Sequence, residues 1–98
     1  MPRIELLTKP GCHLCDDARA SLAQVLAEDE FAGAIAAPGF AEQNILDDAA
    51  LTDEYFEDIP VVKIDGRVHT TWRVDQERLR AALRTSLARE TDPTKAAS

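Results

Sequence analysis

The spacing of apolar positions changes several times along this 98-residue chain, and each change marks a structural element. Arg3 to Thr8 has the Ile and Leu content of a β-strand, which Pro10-Gly11 stops with turn chemistry. Leu14, Ala18, Leu22, Val25 and Leu26 then recur three or four apart, while Asp16, Asp17, Arg19 and Gln24 fall on other faces. That spacing predicts an amphipathic helix ending between Ala27 and Gly33. Residues 28–39 hold no consistent period, because the alanines favour helix whereas Gly33, Pro38 and Gly39 break it. Phe40 to Leu46 supplies a second strand, after which Asp47 or Asp48 caps a short helix with Leu51 and Tyr55 on one face. Proline disfavours a helical predecessor, so Ile59-Pro60 returns the chain to an extended form and Val61 to Ile64 reads as a third strand. Asp65-Gly66 suits a two-residue type I′ turn and predicts a hairpin with a fourth strand, Arg67 to Trp72. Asp75 caps a last helix in which Leu79, Ala82, Leu83, Ser86 and Leu87 share a face, with Val74 and Leu79 as a hydrophobic staple.

The resulting order is βαβαββα. A strand–helix–strand crossover makes a parallel pair and a hairpin an antiparallel one, so the expected fold is α/β with a mixed four-stranded sheet. Val61-Val62 is apolar at consecutive positions, as in a central strand with helices on both faces. The length fits one domain, placed at residues 1–90, and the polar segment 91–98 is expected to be a flexible tail.

Charge narrows the partners. Eleven basic against 18 acidic residues leave a net −7, the wrong sign for a nucleic-acid footprint or an anionic membrane. Between Arg19 and Lys63 there are ten acidic residues and no basic one, whereas Arg67 to Arg89 holds six arginines against Asp75 and Glu77. This predicts a bipolar surface, read either as solvated helix faces or as a field that steers a charged partner. The N-terminal apolar run is too short and too charged for a secretory signal, and no stretch approaches the roughly 20 apolar residues of a membrane span. A soluble, cytoplasmic, monomeric protein is expected.

In such a reducing compartment a closely spaced cysteine pair points to redox chemistry or metal rather than to a structural staple. Cys12-His13-Leu14-Cys15 follows a strand and a Pro-Gly turn and opens the first helix. Unpaired backbone N–H groups and the positive end of the helix dipole favour a thiolate there, which makes Cys12 the candidate nucleophile. Lys9, and His13 if protonated, act in the same direction. Cys15, one turn further in, is expected to be more buried and to attack second. The implied reaction is thiol–disulfide exchange through a mixed disulfide on Cys12, resolved by Cys15, with no metal or organic cofactor. Half of a zinc site is the competing reading, but it needs four ligands, and His13 and His69 are poorly placed to complete it. His13 reads equally as a solvated side chain and Lys9 as a surface charge. Trp72 and Tyr55 read as core and rim aromatics rather than as substrate platforms.

Thr8-Lys9-Pro10-Gly11-Cys12-His13-Leu14-Cys15, Ile59-Pro60-Val61-Val62, and Asp65-Gly66 leading to Val74-Asp75 with Leu79 resemble the glutaredoxin-like proteins of the thioredoxin superfamily. The resemblance covers about residues 3–88. It implies a thioredoxin-like fold, a cis peptide bond at Pro60, and a substrate strand that pairs with the backbone of Ile59. It also brings in a disulfide-containing protein or glutathione as substrate, and glutathione or a thioredoxin-type reductase as electron donor. Lys9 matches a lysine that such proteins place near a glutathione carboxylate. Where glutathione-binding members carry Gly-Gly and then Asp, this chain has Thr70-Thr71 and then Arg73. Two function classes follow: a thiol–disulfide oxidoreductase acting through Cys12 and Cys15, with Lys9, His13, Ile59 and Pro60 at the substrate, and a non-catalytic thioredoxin-fold interaction module.

Overall fold

In the computed structural model, which describes residues 2–35 and 39–91, every expected strand and helix is present, and the differences lie at boundaries and in one insertion.

 The sheet has the order β2-β1-β3-β4, formed by β1 (Ile4–Thr8), β2 (Ala41–Asn44), β3 (Val61–Ile64) and β4 (Arg67–Thr71). β1 and β2 run parallel, with Leu6 opposite Glu42 and Thr8 opposite Asn44. β3 runs antiparallel to both β1 and β4, with Leu6 opposite Val62 and Val62 opposite Thr70. The helices are α1 (His13–Leu26), α2 (Asp29–Ala32), α3 (Ala49–Tyr55) and α4 (Gln76–Thr91). The sheet is therefore mixed and four-stranded as expected, in a thioredoxin-like fold. No helix among the described residues is long and apolar enough to cross a membrane.

Strand alternation divides the core into two layers. Ile4 and Leu6 of β1 and Val62 and Ile64 of β3 face α1 and α4, where they meet Ala18, Leu22, Val25, Leu79 and Leu83. Leu7 and Val61 face the other way and pack with Ile45, Tyr55, Ile59 and Cys15. Val61 and Val62 are both buried because β3 is a central strand covered on both faces. The Asp65-Gly66 turn has both residues at positive φ, 54° and 85°, as a type I′ turn requires. Asp75 Oδ1 accepts the backbone N–H groups of Glu77 and Arg78 and so caps α4, and Val74 packs against the cluster that holds Leu79.

Several boundaries differ from the sequence expectation. The buried stripe of α1 begins at Cys15, not Leu14: Cys15 is 1% exposed and Leu14 39%. A cysteine packs as a small hydrophobe, and Cys15, three residues before Ala18, takes the buried position, whereas Leu14, four before it, lies at the exposed edge of the stripe. Within residues 28–39, α2 and the turn after it place Phe31 and Ile35 in the core, adding a short helix to the expected order. α2 is strapped to α4 by paired contacts from Arg80 to Glu28 and from Arg84 to Glu30. These ion pairs join the acidic and basic stretches of the sequence, so part of the expected bipolarity is cancelled by folding. β2 is shorter than Phe40–Leu46 because Asn44 Oδ1 accepts the Leu46 N–H and caps a single 3₁₀ turn, Ile45–Asp47. β4 ends at Thr71, with Trp72 at φ 67°. His69 is the unopposed residue of an irregularity in the β3–β4 ladder, since Val62 pairs Thr70 and Lys63 pairs Val68. The tail expected over 91–98 lies outside the described residues beyond Thr91, which closes α4.

Candidate active site

β1 runs from the sheet into Lys9-Pro10-Gly11, where Gly11 takes φ 75°, a backbone state that glycine enters without a Cβ penalty. This turn delivers Cys12 to the N-cap of α1, in extended conformation, with its side chain on the open helix end. Cys12 Sγ accepts the backbone N–H of Cys15 at 3.1 Å, the hydrogen bond that an N-cap oxygen makes in other helices. Cys12 is partly exposed, Cys15 is buried, and both are free thiols. Cys12 packs against the cluster that buries Cys15, so the two side chains belong to one site. Burial pushes the Cys15 thiol up to about 11, and the neighbouring Cys12 sulfur adds to the rise, while the Lys9 backbone N–H and the Arg19 charge oppose it. One sulfur is thus reachable and the other is held protonated behind it.

The remaining residues singled out in the sequence fall into two groups. Ile59 and Pro60 are buried, and their peptide bond is cis. Ile59 shares a cluster with Cys15, against which Cys12 packs, so the turn before β3 lies beside the cysteine pair. Lys9 lines a small cleft of about 200 Å³ together with Cys12, Arg19 and Glu42, and its ammonium lies 4.7 Å from the ring centre of Phe56. His13 is exposed on the first turn of α1, next to Cys12. His69 lies apart in β4, and burial followed by the nearby Arg78 charge lowers its pKa. Among the described residues, no three His, Cys, Asp or Glu side chains converge to hold a metal ion.

Two features were not singled out as site residues from the sequence. Trp72 is 56% exposed, its backbone N–H donates to Pro60 O at 2.8 Å, and its indole Nε1–H donates to Glu57 O at 2.9 Å. Trp72 is thus the rim aromatic, anchored on the cis-proline turn, and Tyr55 the core one, the reverse of the expected order; the placement depends on a left-handed backbone state at Trp72 invisible in the residue pattern. The second is the Arg19 cluster. Arg19 bonds Glu42 through Nε at 2.6 Å and Nη2 at 2.7 Å, and Asp16 through Nη1 at 2.8 Å. Thr8 Oγ1 adds a bond to Glu42 at 3.1 Å. Arg19 is four residues after Cys15, so helical spacing alone puts them on one face; Glu42 reaches the site only through the β1–β2 register.

A family model described as glutaredoxin-like domain (DUF836) matches residues 3–84, which span every element of the sheet and both cysteines. The chain belongs to this family. It is thus a glutaredoxin-like protein of the thioredoxin superfamily, and its cysteines form the CxxC motif of a redox-related family. The glutaredoxin-like domain is 37% identical over 87 residues to uncharacterised proteins of Mycobacterium tuberculosis and Mycobacterium bovis, a match covering 82% of this chain and 80% of each relative. Among solved structures it is similar to a structural-genomics target protein from X. campestris, with a TM-score of 0.65 and 36% identity over 84% of this chain and 96% of that one.

Proposed function

We propose that this glutaredoxin-like domain is a thiol–disulfide oxidoreductase that exchanges a Cys12–Cys15 dithiol with a disulfide substrate. The observation that carries the reading is the pairing of a reachable N-cap sulfur with a buried, protonated one in the cluster it packs against. The Cys12 thiolate attacks one substrate sulfur; the substrate S–S bond breaks and the first substrate thiolate leaves, taking up a proton. Cys15 loses its proton and attacks Cys12 Sγ, the mixed disulfide breaks, and the second substrate sulfur leaves as a thiol. Two electrons pass from the cysteines to the substrate, and a Cys12–Cys15 disulfide remains. Glutathione or a thioredoxin-type reductase returns two electrons and closes the cycle. The substrate is a disulfide-containing protein or glutathione disulfide, in a reducing cytoplasm where no resident metal or organic cofactor is needed. Ile59 and Pro60 line the approach to Cys12, Lys9 offers a cation in the cleft that Cys12 shares, and His13 flanks the nucleophile.

The test is Cys15→Ser, which leaves the mixed disulfide unresolved. Cells expressing this variant should yield covalent adducts on Cys12 that a reducing agent releases, protein partners or glutathione being identified by mass. Wild type should yield far fewer, and Cys12→Ser none. Absence of any adduct in Cys15→Ser would favour a non-catalytic interaction module.

A further inference from the structure

We infer that Arg19, held in place by Glu42, is the positioning residue for the second half of the exchange, in which Cys15 displaces the substrate from Cys12. The inference rests on the oxidoreductase reading above and assigns a role to a cluster that reading does not use. In the reduced protein the Cys12 sulfur accepts the Cys15 backbone N–H at 3.1 Å and, with burial, favours the protonated Cys15 thiol. Once Cys12 carries the substrate in a mixed disulfide, that sulfur no longer bears a charge, and Cys15 must give up its proton from a buried position. The groups that favour the resulting anion are the Lys9 backbone N–H and the Arg19 guanidinium. Arg19 sits one helical turn beyond Cys15 on the same face of α1 and lines the same cleft as Cys12.

A flexible arginine would give little, because an exposed side chain spends its charge in water. Here the fork is fixed from two sides. Glu42 on β2 takes both Nε and Nη2, Asp16 takes Nη1, and Thr8, itself 4% exposed, steadies Glu42. The hydrogen bonds from Arg19, joined by the one from Thr8 and opposed by burial, hold the Glu42 carboxyl below the usual range, so the pair stays charged across neutral pH. Fixing Arg19 in this way also neutralises two carboxylates that would otherwise face a developing thiolate. The charged groups around the sulfurs are therefore Lys9, Asp16, Arg19 and Glu42, with His13 on the outer face. In the resolving step the bond formed is Cys15 Sγ–Cys12 Sγ, the bond broken joins Cys12 Sγ to the substrate sulfur, and the substrate sulfur leaves with the electron pair.

Dipyridyl disulfide, a neutral substrate that releases a coloured thione at each step, separates the two halves in a stopped-flow experiment. The first release depends on reagent concentration and reports Cys12 attack; the second is unimolecular and reports Cys15. Arg19→Gln should slow the second release about three- to tenfold at neutral pH, move its pH profile to higher pH, and leave the first release within about twofold. Arg19→Lys, which keeps the charge and loses the fork, should recover part of the rate. Arg19→Gln/Glu42→Gln should recover part of it as well, because it removes a stranded carboxylate. Equal effects of Arg19→Gln on both releases, or none on the second, would overturn the role of Arg19 while leaving the exchange reaction intact. A wild-type protein with no unimolecular second release would instead defeat the oxidoreductase reading. Thermal melting of each variant separates these outcomes from misfolding.

Discussion

Removing Cys12 exposes how strongly the fold suppresses its partner. In Cys12→Ser the only thiol is Cys15, whose neighbours in the second core layer are retained. With both cysteines present, burial is the main reason that this thiol lies at about 11, against 9.0 for an unperturbed cysteine. Two pH units mean about 100-fold less thiolate at any pH below both values, and at pH 7 roughly one Cys15 in ten thousand is ionised. Thiolate is the alkylated species, and 1% exposure limits access further. Iodoacetamide should therefore modify Cys15 in the folded variant at least about tenfold more slowly than a free cysteine peptide, allowing for the lost contribution of the Cys12 sulfur. The rate should climb with pH well past the point at which the peptide levels off. Unfolding in urea should bring the two rates together. In Cys15→Ser, the partly exposed Cys12 should be alkylated without unfolding. Quench-and-mass measurements over a pH series read all of these rates. Labelling of native Cys15 as fast as the peptide would refute the division between a reachable and a shielded sulfur.

Other consequences concern the frame that holds the site. Asp65 accepts the Arg3 N–H and the Ser86 hydroxyl, and the Ser86 bond, followed by the Arg3 one, lowers its pKa. Because the folded value is depressed, this stabilisation is present above the unfolded value of about 3.8 and is lost as pH falls through the folded one. Asp65→Asn tolerates the positive φ and should cost about 1 kcal/mol at pH 7, with the gap to wild type closing below pH 3 to 4 in urea titrations; a gap independent of pH would contradict the assignment. Gly11 and Gly39 both have positive φ, but a Cβ at Gly11 meets open space, while one at Gly39 would come within 2.8 Å of Leu26 Cδ1. Gly11→Ala should cost about 1 kcal/mol and Gly39→Ala clearly more, and a reversed order in denaturant midpoints would contradict the packing of Leu26.

Much of this architecture is legible in the residues because local chemistry and global fold agree. The Asp65-Gly66 turn, the Asp75 cap and the Val61-Val62 run each have a single structural solution, and each occurs where the sequence predicts it. The cysteine pair is equally local, since a turn glycine followed by a helix start is enough to place Cys12 at the N-cap. Leu14 was less legible because its apolar character fits the helix stripe, whereas the sheet takes Cys15 instead. The insert holding α2 depends on contacts far away in sequence: Glu28 and Glu30 find Arg80 and Arg84 on α4, which no local period announces. The same holds for Glu42 at Arg19 and for the Trp72 indole at Glu57, both set by strand register and backbone sign rather than by spacing. The cis bond at Pro60 was likewise available only through the family resemblance, because most X-Pro bonds are trans.

The most direct measurement is an equilibrium redox titration of the wild-type protein against a graded dithiothreitol buffer, read by Trp72 fluorescence and by counting alkylatable thiols after unfolding. The account predicts one two-electron transition in monomeric protein, from two free thiols to none, with a single intramolecular Cys12–Cys15 disulfide in the oxidised form. Two thiols persisting at every potential, or oxidation appearing only as linked pairs of chains, would contradict it.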